Sequence, residues 1–272
     1  MHKTNIDQRI RLPKLKELGM DLNYLNIYQK TWTLLKPLVF SIGFFISFYF
    51  GFYMLSALSI IALQFNTYVS SSHDLVHNTL KLTKKQNDLF LSILEILAMR
   101  SGHAFKTSHL NHHRCFPSKD DFEGKSIYKS FLGTLLSGPT YVVAIYFWSL
   151  KRCNKKDKIW IIVEGALISL YVIFSILFIK NSPMLLWYFL SLYVTSWVYP
   201  LFTVFIPHIL NFEHPIFQTI KFSGPIISTL FAHHNYHLEH HLYPSVPHQN
   251  WRKLAKRLNP YLEHEKIKKI HL

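Results

Sequence analysis

Between Pro37 and Ser72 the chain runs for 36 consecutive residues without Asp, Glu, Lys, Arg or His. As one straight helix, rising about 1.5 Å per residue, that run would reach roughly 54 Å. The hydrocarbon core of a bilayer is only about 30 Å thick. A single crossing would strand much of an apolar helix in water, whereas two shorter passes bury all of it. Gly51 can serve the turn between them. Lys30 and Lys36 precede the run, and Lys81, Lys84 and Lys85 follow it. Basic residues that flank spans stay on the cytoplasmic side, so both ends share one face. The run predicts a helical hairpin, with helices near 34–50 and 53–72.

The same test organises the remainder. Ile159–Ile179 and Met184–Pro207 are span-length and separated by Lys180-Asn181-Ser182-Pro183, which predicts a second hairpin. Phe131–Leu150 is equally uncharged, but it contains Gly133 and Gly138-Pro139 and has basic residues at both flanks. It is expected as a broken helix in the plane of the interface, and Phe90–Met99 is expected there too. On this topology every Lys and Arg except Lys180 faces the cytoplasm. The fold class is therefore all-α and integral to the membrane: four spans in two hairpins, with cytoplasmic and interfacial helices. Residues 1–33 form a polar cytoplasmic or interfacial segment without the short apolar core of a secretory signal. Residues 34–255 form the membrane domain, and 256–272 a basic tail.

Composition agrees. Charged residues make up 17% of the chain, against about a quarter in soluble domains. The 49% hydrophobic content excludes disorder, and two cysteines, Cys115 and Cys153, cannot make a disulfide scaffold. The net charge of +15 fits anionic headgroups. Nucleic acid is not an expected partner.

Seventeen histidines fall mostly into tight groups. His73-Asp74-Leu75-Val76-His77 follows the first hairpin, His109-Leu110-Asn111-His112-His113 lies between the hairpins, and His237-Leu238-Glu239-His240-His241 follows the second. All three emerge on the same face and can meet. Residues three or four apart share a side of a helix, so each group presents imidazoles together. The adjacent members of each His-His pair diverge by about 100°, which suits two metal ions better than one. Eight imidazoles also exceed the four ligands of a tetrahedral zinc. Imidazole alone leaves iron, copper, nickel and zinc open. A two-ion, all-nitrogen site beside the bilayer points to redox chemistry on a lipid with dioxygen as oxidant. Zinc hydrolysis is the rival, but its carboxylate base in a His-Glu-x-x-His arrangement is absent.

These three groups resemble the histidine boxes of the membrane fatty acid desaturase superfamily, which includes carotenoid hydroxylases, ketolases and sphingolipid desaturases. The resemblance extends through Asn235-Tyr236-His237-Leu238-Glu239-His240-His241-Leu242-Tyr243-Pro244-Ser245-Val246-Pro247 and covers roughly residues 34–255. It implies two iron ions, dioxygen as oxidant, and a separate ferredoxin or cytochrome as electron donor. It also implies that His73, His77, His109, His112, His113, His237, His240 and His241 are ligands, with no catalytic side chain beyond them. The family commonly adds a ligand at the end of the fourth helix, where His208 stands as a ninth.

Further residues carry expectations. Asp74, Asp120, Asp121 and Glu239 are candidates to hold the ligands' outer nitrogens. Asn235 is a candidate to reach a metal through water. His103, His214, His233 and His234 are weaker metal candidates, and His103, six residues before the second box, could support its ligands. Glu164, an acid inside an apolar span, is read as snorkelling to the interface from five residues into its helix. Pro200 and Pro207 are read as kinks in the fourth span. The first functional choice is desaturation of a fatty acyl chain of a lipid. Hydroxylation or ketolation of a carotenoid, or hydroxylation of a lipid, comes next. A metal transporter is remote, because the spans hold almost no ligands at mid-depth.

Overall fold

A computed structural model describes residues 12–212, 214–223, 234–263, 265 and 267–271. The long apolar run folds back on itself, as α2 (Ile27–Tyr49) and α3 (Tyr53–Asn66), after a short α1 (Leu15–Leu18). Gly51 makes the turn at φ +78°, a conformation that side chains rarely adopt. Asn26 and Gln29 cap the start of α2 reciprocally. Small polar residues let the two helices approach closely: the Ser47 and Ser56 hydroxyls meet at 2.9 Å. Instead of stopping at Asn66, the second helix widens into a π turn (Thr67–Ser71) and continues as α4 (Ser72–Val76).

Two polar-faced helices follow. α5 (Lys84–Leu97) opens on a Thr83 cap, and α6 (Gly102–Cys115) on a Ser101 cap. Then come α7 (Phe131–Arg152), α8 (Lys155–Leu177) and α9 (Pro183–Ser196), with Ser130 and Asn154 capping the first two. α9 also runs into a π turn, Pro200–Phe205, which begins at one of the two expected kinks. The last described helices are α10 (His237–Leu242) and α11 (Trp251–Leu262). A two-stranded parallel ladder pairs β1 (Lys221–Ser223) with β2 (Lys269–His271). Residues 256–262, expected as part of a tail, belong to α11, where Leu258 and Leu262 pack with Leu18 and Leu22.

Four segments are long and apolar enough to cross a membrane: Met20–Tyr49, Phe131–Arg152, Lys155–Leu177 and Pro183–Phe205. Their outward side chains, such as Ile46, Leu170 and Val194, remain exposed, as lipid-facing residues do. One expectation needs correction. α7 is a continuous helix rather than a broken one. Gly133 sits in its first turn, held by the Ser130 hydroxyl at 3.0 Å. Gly138 serves close approach: a Cβ there would fall 2.0 Å from the Trp197 carbonyl oxygen. Tyr193 then donates to the Pro139 carbonyl at 2.9 Å, so the proline is accommodated by packing.

Candidate metal centre

Three helical segments and the end of a π turn bring all nine expected histidines to one end of the bundle. α4 carries His73 and leads to His77, α6 carries His109, His112 and His113, and α10 carries His237, His240 and His241. His208 follows the π turn of α9. They form two groups. His73, His77, His109, His113 and His240 hold their ligand atoms within 4.8 Å of one another, and so do His112, His208 and His241. His237 joins the second group, its Nε2 3.1 Å from that of His208 and 3.0 Å from that of His241. The adjacent pairs part as helix geometry requires: His112 and His113 face different groups, and so do His240 and His241. The groups adjoin, with the His113 and His241 rings 4.6 Å apart.

The outer nitrogens show which atoms point inward. His112 Nδ1 lies 2.6 Å from Asp121, His109 Nδ1 3.0 Å from Glu123, and His208 Nδ1 2.9 Å from the Val204 carbonyl. Each acceptor requires N–H at Nδ1, which leaves a lone pair on Nε2. Those Nε2 atoms face others at 3.1 Å, with His109 against His73 and His112 against His208. Burial pushes His73, His77, His113, His208, His237, His240 and His241 well below the ordinary imidazole value, and neighbouring imidazoles add to it. Burial pulls on His112 as well, but the bond to Asp121 and the charges of Asp121 and Glu123 outweigh it and raise the value. Glu123 is held below the usual carboxylate range: burial pushes it up, and His109 more than reverses this.

This donor set fits metal. Neutral imidazoles with converging lone pairs repel unless a cation lies between them. Bonds of about 2.1 Å at right angles place neighbouring nitrogens about 3.0 Å apart, whereas a tetrahedron spreads them to about 3.4 Å. The mutual separations of His208, His237 and His241 are 3.0–3.1 Å. That convergence lets one ion take all three nitrogens as ligands.

The supporting carboxylates only partly match expectation. Asp121 holds a histidine of the cluster. Asp74 instead clasps His248, accepting from its backbone N–H at 3.0 Å and lying 2.7 Å from its Nδ1. Asp120 accepts nothing from a cluster histidine; its backbone carbonyl takes a bond from Asn111. Glu239 is buried 3.5 Å from Lys221. Glu123 was missed: it lies ten residues past His113, in a 3₁₀ turn that no helical spacing connects to the box. Trp251 was missed as well. Its ring lies 5.4 Å from His73 and 5.0 Å from His240.

Of the weaker candidates, His214 caps the turn at Pro215–Phe217, outside both groups. The His234 ring lies tilted against that of His237 with centroids 4.7 Å apart, and Asn235 is buried next to it. His233 lies outside the described residues. His103 is fully buried but away from the clusters, stacked on Trp160 and 2.7 Å from Glu164. The snorkelling reading of Glu164 is overturned. Its carboxylate is fully buried and accepts from Ser92, from Ser101 at 2.5 Å and from the His103 backbone N–H at 3.2 Å. Those groups belong to α5 and to the cap and first turn of α6, so the acid turns inward because unpaired donors await it there.

A bundle of apolar helices that gathers nine buried or half-buried imidazoles into two adjoining groups defines a helical membrane protein with a histidine cluster able to hold metal. Residues 46–272 match the fatty acid desaturase family, and the chain belongs to that family. A comparison with curated proteins found no match. Family membership makes the protein a membrane oxidoreductase of desaturase or hydroxylase type.

Proposed function

We propose that this protein uses two iron ions, dioxygen and electrons from a separate ferredoxin or cytochrome to desaturate a fatty acyl chain of a lipid. The observation that carries the reading is the division of nine imidazoles into adjoining groups of five and four, in a chain of the desaturase family. Under this reading His73, His77, His109, His113 and His240 hold one ion, and His112, His208, His237 and His241 the other. Bound iron would supply dioxygen activation and hydrogen abstraction from an unactivated C–H bond. Asp121 and Glu123 keep the Nδ1 protons of His112 and His109 in place, so that Nε2 stays free to bind. Buried side chains around the clusters exclude water. Overall, –CH₂–CH₂– and dioxygen, with two electrons and two protons supplied, give –CH=CH– and two waters.

A mostly apolar groove of about 400 Å³ lies between α7, α8 and α9, walled by Val142, Val143, Val172, Ile173, Phe189 and Leu192 with Arg100, and no cluster histidine lines it. The basic flanks of the first hairpin support a cytoplasmic position for the histidine groups. The test is expression in a host that makes β-carotene, with profiling of lipids and pigments and measurement of bound metal. New unsaturated acyl chains, unaltered pigments and about two irons per chain are expected. New polar carotenoids would replace the acyl substrate with a carotenoid, and zinc alone would remove the redox reading.

A further inference from the structure

We infer that the outward face of α11 is the docking surface for an acidic one-electron carrier protein, with Trp251 as the bridge from that face to the histidines. The inference rests on the function proposed above and names its partner surface. α11 is sharply two-faced. Trp251, Leu254, Ala255, Leu258 and Leu262 are buried, while Arg252, Lys253 and Lys256 are exposed. The neighbouring α1 segment adds exposed Lys14 and Lys16, and Arg257 lies beside them, partly exposed. Six cations thus stand against three exposed acids, Glu17, Asp21 and Glu263. Asp21 is already engaged by Arg257 at 2.7 Å and by Lys253. The excess is positive and complementary to an acidic protein, and such complementarity speeds encounter.

An anionic lipid surface would also attract these charges. A helix that lies in a membrane, however, inserts its apolar face. The apolar face of α11 is already packed against Leu18, Leu22 and Leu238, and Arg252, Lys253 and Lys256 are turned outward, with Tyr261 the one large apolar side chain of α11 exposed beside them. What favours an electron carrier is the residue beneath. Trp251 starts α11 one position before exposed Arg252, donates to the Val246 carbonyl at 2.8 Å, and lays its ring against His73 and His240. One indole therefore separates the charged face from two imidazoles of the five-histidine group. Two carrier encounters supply the two electrons that dioxygen needs beyond those taken from the substrate. Each encounter oxidises one carrier by one electron, and solvent supplies the two protons.

The test uses the full iron-loaded chain in nanodiscs of phosphatidylcholine, with an acidic [2Fe–2S] ferredoxin as probe. For the Arg252→Glu/Lys256→Glu variant, ferredoxin binding is expected to weaken by about tenfold or more and the salt sensitivity of binding to shrink. Its reduction by dithionite should match that of the unaltered protein. Trp251→Phe is expected to keep ferredoxin affinity while slowing electron transfer. Unchanged ferredoxin binding in the charge-reversed variant overturns the surface, and so does an equal slowing with both reductants. An unaltered transfer rate in Trp251→Phe removes the indole from the path. If dithionite yields no oxidised lipid even with the unaltered protein, the proposed function itself fails. If dithionite sustains oxidation while charge reversal leaves ferredoxin binding intact, only the docking surface fails.

Discussion

Asp121 and Glu123 contact no substrate, yet each fixes which nitrogen of a histidine is free. Replacing Asp121 with Asn or Glu123 with Gln should weaken metal binding by about ten- to a hundredfold, measured by competition with a chelator. Equal retention of metal by both variants would remove that role. Proton linkage sets a second expectation. Seven of the histidines are held below the ordinary value of 6.5, so the unfolded chain binds more protons as the pH falls through that value. Their stabilisation is complete above about pH 6.5 and is lost progressively below it. His112, shifted the other way, contributes below that value and loses its contribution as the pH rises. The balance predicts that metal retention and melting temperature fall together between pH 7 and pH 5, and a flat profile would contradict it. The histidines were legible in the sequence because three- and four-residue spacings are local helix geometry. Their carboxylate partners were less so. Asp74 stands beside His73 in the chain but diverges from it around the helix, towards His248. Glu123 reaches His109 only because the segment after Cys115 folds back.

Among the elements, α6, like α10, supplies histidines to both groups. Its N-terminal end is held by Glu164 from α8, through Ser101 and both the backbone and ring of His103. Glu164→Ala leaves these buried donors without an acceptor, at about 1–3 kcal/mol for each orphaned group. We expect a lower melting temperature and faster hydrogen exchange at the start of α6, with partial loss of metal from both groups. Glu164→Gln, which preserves shape and one acceptor, should be milder. Protection of α6 unchanged in Glu164→Ala would show that the helix is anchored elsewhere. An acid in an apolar stretch reads the same whether it reaches for water or for a buried partner, and only the packing of α5 and α6 decides. Gly138 was ambiguous in the same way, since a missing side chain can mark a break or an intimate contact. Here the Trp197 backbone fills the space.

At the scale of the whole molecule, the meeting of the three boxes fixes the parity of the crossings. His112 from the second box lies 3.1 Å from His208, beyond α9, so an even number of crossings separates them. α8 and α9 supply two. With α8 and α9 as the second hairpin, α7, although long and apolar enough to cross, is expected to stay on the histidine side. In a chain whose Cys115 and Cys153 are replaced by Ser, single cysteines at Lys14 and Asn181 should be labelled from opposite faces of the membrane. Labelling of both from the same face would break the two-hairpin topology. The overall architecture was legible because bilayer thickness and charge placement are whole-chain constraints. The π turn at Thr67–Ser71 was not, since it carries no composition of its own, and Pro200 marked a kink without revealing the π turn at Pro200–Phe205. They stack against each other through Tyr68 and Tyr199, with ring centroids 4.6 Å apart. A π turn accommodates one extra residue per turn and so resets the rotational phase of everything after it. In each hairpin the imidazoles beyond the π turn are therefore swung about 100° around the axis from where an unbroken α-helix would carry them.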